Sequence, residues 1–197
     1  MRPRIAAIVL AAGSSRRFGP DNKLLEPVDG SPLVTHAVDA VLGANADPVV
    51  IVTGYDAEAV QRALGDRTVS FIHNRLHDQG MGSSLAVGAR AAPGTVDGVL
   101  IALGDMSEIR PEHACDVVNA FDPARADTIC VPVFEGRRGH PVLFGSGHLA
   151  ALRTLEGDIG ARSILEANPD AVLEVPARDE GVLRDIDTTA DLQLGRR

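Results

Sequence analysis

Tryptophan is absent from this chain of 197 residues, which has one Tyr and five Phe. So few aromatics leave little material for the stacking platforms that single-stranded nucleic acid needs. Positive charge is also short: 19 Lys plus Arg stand against 27 Asp plus Glu, a formal net charge of −8. That balance argues against a general nucleic-acid surface or a polybasic membrane anchor, so nucleic acid and membranes are not expected partners. The two cysteines, Cys115 and Cys130, are too far apart for a C-x-x-C motif, and both lie among apolar neighbours, which reads as structural burial. No apolar run is long enough for a signal peptide or membrane span, and the expected compartment is a reducing cytoplasm. Neither a G-x-S-x-G elbow nor a Ser-His-Asp order is present. His36, His73, His77, His113 and His148 show no metal-ligand spacing, and no role is read for them.

What is present is a chain 45% apolar and 23% charged, the profile of one globular domain over residues 1–197. The run from Ile5 to Ala12 is apolar at every position and stops at Gly13, as expected of a strand buried on both faces of a parallel sheet. Ser31 and Pro32 supply an N-cap and a first-turn proline for a helix to about Asn45. Strands follow at 49–54 and 69–72 around a helix at 57–64, then a helix at 81–92 and a strong strand at 98–104. A helix at 111–121 precedes strands at 128–134 and 141–144, joined by a turn at Gly136-Arg137-Arg138-Gly139. Short helices at 147–155 and 161–167 and late strands at 172–175 and 183–186 complete the pattern. The alternation predicts an α/β fold, a three-layer Rossmann-like sandwich with a mixed, mostly parallel sheet. Ligands of such sheets lie beyond the carboxyl ends of the strands, where strand order reverses.

The loop after the first strand reads Leu10-Ala11-Ala12-Gly13-Ser14-Ser15-Arg16-Arg17-Phe18-Gly19, with Lys23 soon after. Small residues let backbone N–H groups surround phosphate oxygens, while Arg and Lys supply the charge an acidic protein otherwise lacks. It is neither a Walker A loop nor G-x-G-x-x-G. Asp105 directly follows a buried strand and is a candidate ligand for a hard cation such as Mg²⁺. Asp185-Ile186-Asp187-Thr188 is a second acidic site, because residues two apart in an extended chain face the same way. Asp187 could share that metal; equally, Asp187 or Thr188 could cap a last helix over 190–194. Gly80-Met81-Gly82-Ser83-Ser84 sits at a loop-to-helix junction, where free N–H groups and hydroxyls suit a nucleobase edge, with helix capping by Ser83 as the competing account. Arg138 and its neighbours could hold a second anion, and Asp158, in Gly157-Asp158-Ile159-Gly160, either positions a substrate loop or marks a turn.

Taken in order, Leu10 to Gly19, Lys23, Gly80 to Ser84, Leu103-Gly104-Asp105-Met106, Gly139-His140-Pro141-Val142-Leu143-Phe144 and Asp185 to Thr188 resemble the nucleotidyltransferases that act on molybdenum cofactor. The Ala-Ala-Gly form and the Gly-Met-Gly-Ser-Ser segment are similar to the cytidylyltransferase branch. The resemblance implies Mg²⁺-dependent transfer of CMP from CTP to the phosphate of molybdenum cofactor with release of pyrophosphate. It further implies nucleotide contacts at Leu10 to Ser14, triphosphate contacts at Arg17 and Lys23, metal at Asp105 and Asp187, and an acceptor side around His140. A molybdoenzyme receiving the product is an implied partner. The chain departs from the family's pattern at Ser107, where proline is common, and at Thr189-Ala190, where Pro-Glu is common. Three alternatives stand beside this reading: another nucleotide with another small phosphate acceptor, a cofactor-delivery protein, and an NAD(P)H-dependent reductase, a name that some actinobacterial relatives of this family carry.

Overall fold

A computed structural model describes residues 2–15, 18, 21–188, 190 and 191. The first strand, β1 (Ile5–Ala11), is followed by the short pair β2 (Pro27–Val28) and β3 (Ser31–Pro32), helix α1 (Leu33–Gly43), β4 (Val49–Thr53), α2 (Ala57–Leu64) and β5 (Ser70–His73). Next come α3 (Met81–Ala91), β6 (Gly98–Leu103), α4 (Pro111–Ala120), β7 (Ile129–Phe134), β8 (Arg137–Arg138) and β9 (Val142–Gly145). The chain continues through α5 (Leu149–Leu152), α6 (Arg162–Ala167) and β10 (Val172–Pro176). The main sheet runs β10-β7-β9-β6-β1-β4-β5, with β8 paired to β7. β1 lies parallel to both β4 and β6, whereas β9 runs antiparallel to β6 and β7. This is the expected mixed, mostly parallel sheet.

Side-chain alternation along β1 explains the layers. Ile5, Ala7, Val9 and Ala11 enter one core with α1, α2 and α4, while Ala6 and Ile8 enter another with α3, α5 and α6. A strand that feeds two cores must be apolar at successive positions, and that is what its run of eight apolar residues encodes. Gly88 of α3 lets that helix approach closely, because a Cβ there would lie 2.6 Å from Ile8 Cγ2. Strand order turns around β1, since the chain proceeds from β1 through β4 to β5 and then returns to β6 on the other side. The crevice between the carboxyl ends of β1 and β6 is therefore the expected ligand position. Among the described residues no helix is long and apolar enough to cross a membrane.

Four local expectations are corrected. Ser31-Pro32 does not open the helix: it forms β3, Pro32 is the N-cap without a side-chain cap, and the Leu33 N–H donates to the Glu26 carbonyl at 2.9 Å. The turn between β7 and β9 is not at Arg137-Arg138; Glu135 and Gly136 take the positive φ values, and the two arginines pair with Phe134 and Val133. The stretch 147–155 divides into a 3₁₀ turn, Ser146–His148, and the four-residue α5. Residues 183–186 are not a strand: Glu180–Leu183 is a 3₁₀ turn, and only Asp185 bridges to Met106.

Candidate active site

Two adjoining clefts open at the carboxyl edge of the sheet. The first, about 570 Å³, is lined by Leu10, Ala12, Gly13, Ser14, Ser15, Lys23, Gly80, Met81, Ser84, Asp105, Asp158 and Asp187 among others. The second, about 760 Å³, shares Leu10, Met81 and Leu103 with the first and adds Arg138, His140 and an apolar floor that includes Ile101, Val131 and Phe144.

The acidic end of the first cleft is assembled from distant sequence. β6 runs out beside β1, where Gly104 donates to the Leu10 carbonyl at 2.9 Å; a Cβ on Gly104 would crowd that same oxygen. The next residue is Asp105. The returning segment then docks on it: Met106 and Asp185 form an antiparallel bridge, and the Ile186 N–H donates to the Asp105 carbonyl at 3.0 Å. This brings one carboxylate oxygen each of Asp105, Asp185 and Asp187 within 4.8 Å of one another.

Lys23 reaches this cluster from the opposite wall. The buried Asn22 caps the turn that carries it, accepting from the Leu24 N–H at 3.1 Å. The Lys23 ammonium donates to Asp105 Oδ2 at 2.8 Å, the Ile186 carbonyl at 2.6 Å and Asp187 Oδ1 at 3.3 Å, which accounts for its three protons. Asp105 Oδ1 is buried and has no hydrogen-bond partner among the described residues. Hard carboxylate oxygens, one of them buried without a donor, suit a divalent cation of the Mg²⁺ or Mn²⁺ kind.

The competing accounts of Asp187 and Thr188 resolve by division of labour. Thr188 and Asp191 exchange capping bonds, with the Asp191 N–H donating to Thr188 Oγ1 at 3.4 Å and the Thr188 N–H to Asp191 Oδ2 at 2.7 Å. The Thr188 hydroxyl, donating to Asp191 Oδ2 at 2.8 Å, and the backbone N–H groups of Thr188 and Asp187 hold the Asp191 carboxyl below its ordinary range. Thr188 makes the cap-type bonds and Asp187 lines the cleft; residues 192–194 of the expected last helix lie outside the described residues.

The Gly80–Ser84 junction is only partly turned to the cleft. Gly80, at φ +108°, Met81 and Ser84 line it. Gly82 instead donates its N–H to the Gly157 carbonyl at 2.8 Å, and the Ser83 hydroxyl is directed at the Gly80 and Leu76 carbonyls. Ser83 is thus engaged within the chain, but not as the expected cap: Gly80 is the N-cap of α3 and no side chain caps it. Asp158 sits in a turn closed by the Ile159 N–H on the Glu156 carbonyl, and it lines the first cleft rather than the second. The Ala11 side chain belongs to the core. Arg138 lies at the second cleft and is paired with Glu174 at 2.9 Å. His140 lines the second cleft, with Nδ1 buried and without a partner among the described residues; burial holds its pKa below the ordinary value, against the opposing pull of the Ile101 carbonyl, Asp105 and Asp185. Arg17 lies outside the described residues. Sequence reasoning missed His77 and Asp78, which line the first cleft and carry no motif. It also named Asp185 without assigning it a ligand role, although its i, i+2 spacing from Asp187 was the available signal.

Residues 7–172 match the MobA-like NTP transferase domain. The chain belongs to that family. It is 31% identical over 195 residues to the nicotine blue oxidoreductase of Paenarthrobacter nicotinovorans, covering 96% of this chain and 95% of the relative. It is 30% identical over 206 residues to the purine catabolism protein PucB of Bacillus subtilis strain 168, covering 99% and 97%. A nucleotidyl transferase from Methanothermobacter superposes with a TM-score of 0.84 at 27% identity, covering 98% of this chain and 96% of that one. The protein is a nucleotidyltransferase of MobA-like type.

Proposed function

We propose that the protein transfers CMP from CTP to the terminal phosphate of molybdenum cofactor and releases pyrophosphate, with Mg²⁺ held by Asp105 and Asp187 and joined by Asp185. The observation that carries this reading is the meeting of Lys23, Asp105, Asp185 and Asp187 at the reversal point between β1 and β6. The described lining of the first cleft has five carboxylates against one ammonium, Lys23. A triphosphate entering such a field must arrive with cations. When bound, a divalent ion supplies charge neutralisation on phosphate oxygens.

The chain's own residues do the rest. The Ala12–Ser14 backbone cradles phosphate or ribose, and the open space around Gly13, where an added Cβ would meet nothing within 4 Å, is the room such a group needs. Lys23, placed by the Asn22 cap, neutralises phosphate charge. The acceptor sits in the second cleft, whose apolar floor suits a flat heterocycle and whose rim bears Arg137, Arg138 and Arg162 for its phosphate. An acceptor oxygen then attacks the α-phosphorus as the bond to the bridging oxygen of pyrophosphate breaks, and the electron pair leaves with pyrophosphate. Orientation and charge neutralisation account for the catalysis, and no covalent enzyme intermediate is needed. The Ala-Ala-Gly and Gly-Met-Gly-Ser-Ser segments support CTP over GTP.

Calorimetric titration of CTP, GTP, ATP and NADPH, each with and without Mg²⁺, tests the donor. Mg²⁺-dependent preference for CTP, followed by pyrophosphate release with molybdenum cofactor, is the expected result. Preference for another nucleoside triphosphate moves the protein to a sister activity. Binding of NADPH alone favours oxidoreductase chemistry, the class that the name of the 31%-identical relative gives for that protein.

A further inference from the structure

Asn74 follows β5 in a polar connection, yet it is only 2% exposed. Its amide has one orientation, because the Leu76 N–H donates to Asn74 Oδ1 at 3.0 Å and thereby fixes which end is oxygen. The two Nδ2 protons point the other way, to Ser83 Oγ and Ser84 Oγ, each at 2.9 Å. A serine hydroxyl has a single proton to give. Ser83 gives its own to the Gly80 or Leu76 carbonyl, at 2.9 and 3.0 Å. Ser84 accepts from Asn74, and no acceptor among the described residues takes its proton. Ser84 is 5% exposed and lines the first cleft.

We propose that Asn74 is a positioning residue that locks Ser84 as a hydrogen-bond donor toward the first cleft, so that the site selects a base offering a carbonyl oxygen or an unprotonated ring nitrogen at that point. The inference rests on the nucleotide reading of this cleft and adds to it a polarity. An amino group or a protonated ring nitrogen at the same place sets donor against donor and leaves both unpaired, which a buried site penalises. An amide is required at position 74, since a carboxylate there would accept the Ser84 proton and turn the hydroxyl inward.

The test is a double-mutant cycle between Asn74→Asp and Ser84→Ala, read as the ratio of affinities for CTP and for inorganic triphosphate, both with Mg²⁺. Triphosphate lacks a base, so a general structural change or the added charge of Asn74→Asp weakens both ligands and leaves the ratio in place. The expected result is a ratio reduced about five- to twenty-fold in each single variant, the scale of one lost hydrogen bond with its partner left unsatisfied, and no further in the double variant. Ser84→Thr, which keeps the donor, retains the wild-type ratio. Ser84→Ala and Ser84→Thr carry the test by themselves if Asn74→Asp does not fold. An unchanged ratio in Ser84→Ala, or additive losses in the cycle, overturns the Asn74 inference while leaving nucleotide binding intact. Failure of the wild type to bind any nucleoside triphosphate overturns the proposed function itself, and this inference with it.

Discussion

Replacing Asp105 by Asn separates chemistry from folding. The Lys23 ammonium lies 2.8 Å from Asp105 Oδ2, with the two side chains 12% and 22% exposed. At an effective dielectric of about 20 that attraction is about 6 kcal/mol. Against it stand Asp185 and Asp187, whose oxygens lie within 4.8 Å and which each repel Asp105 by about 3.5 kcal/mol on the same scale. Solvent reduces both kinds of term at this half-open edge, and Lys23 keeps its bonds to the Ile186 carbonyl and Asp187. Attraction and repulsion therefore nearly cancel, and Asp105→Asn should move the unfolding free energy by less than about 2 kcal/mol, at most about 8 °C in melting temperature for a chain of this size. Transfer should fall by about a thousand-fold or more, because Asp105 is the proposed cation ligand and its Oδ1 is buried without a donor among the described residues. The assay pairs a thermal melt with CTP-dependent pyrophosphate release. Turnover within ten-fold of wild type refutes the role of Asp105; loss of activity together with a melting drop beyond about 10 °C shows that the residue holds the fold instead.

Four further outcomes follow from named contacts and burial. Gly13→Ala should leave urea stability unchanged, since an added Cβ has free space there, while CTP affinity measured by calorimetry falls at least about ten-fold as the methyl enters the phosphate cradle. Gly80→Ala should cost about 1–3 kcal/mol in the same urea titration, because φ is +108° and the new Cβ meets Asp158 and the Gly157 backbone. Burial holds His140 below its ordinary value near 6.5, so under mildly acidic conditions the unfolded chain binds a proton that the native protein does not. The His140 contribution is thus present in full above pH 6.5 and is lost as pH falls toward its lowered native value; His140→Gln should flatten that part of a stability profile taken by urea melts between pH 5 and 8. Burial pushes the Cys130 thiol up to about 11, whereas Cys115 is half-buried at the surface. One thiol should therefore react with iodoacetamide in the native protein and two after unfolding; equal native reactivity contradicts the buried placement.

The fold was most legible where one physical cause acts alone. β1, β4 and β6 appear in sequence as unbroken apolar runs because both faces of the sheet are covered, and α2 matches its predicted bounds because a period of 3.6 holds throughout its length. Legibility failed where the partner decides. Arg137 and Arg138 resemble an exposed turn, yet Val133 and Phe134 recruit them into a strand once Glu135 and Gly136 have made the bend. Leu183 to Ile186 alternates like a strand, but the chain leaving β6 offers it one bridging residue and one further hydrogen bond.

The site divides along the same line. Lys23 and Asp105 are legible from position alone, one beside a glycine-rich loop and the other at the end of a buried strand. The neighbouring pairs Ser83–Ser84 and Asp187–Thr188 are not, because either member could be the cap and either the ligand. What separates them is the count of protons and lone pairs. Ser83 gives its proton to a backbone carbonyl and the Thr188 hydroxyl is engaged by Asp191, whereas the Asp187 carboxylate accepts from Lys23 inside the cleft. Ser84 and Asp187 are the members that the fold turns toward the cleft. A motif therefore narrows the choice to two adjacent polar residues, and the hydrogen bonds made by Asn74 and Asp191 distinguish the hydroxyl engaged within the chain from the neighbour that lines the cleft.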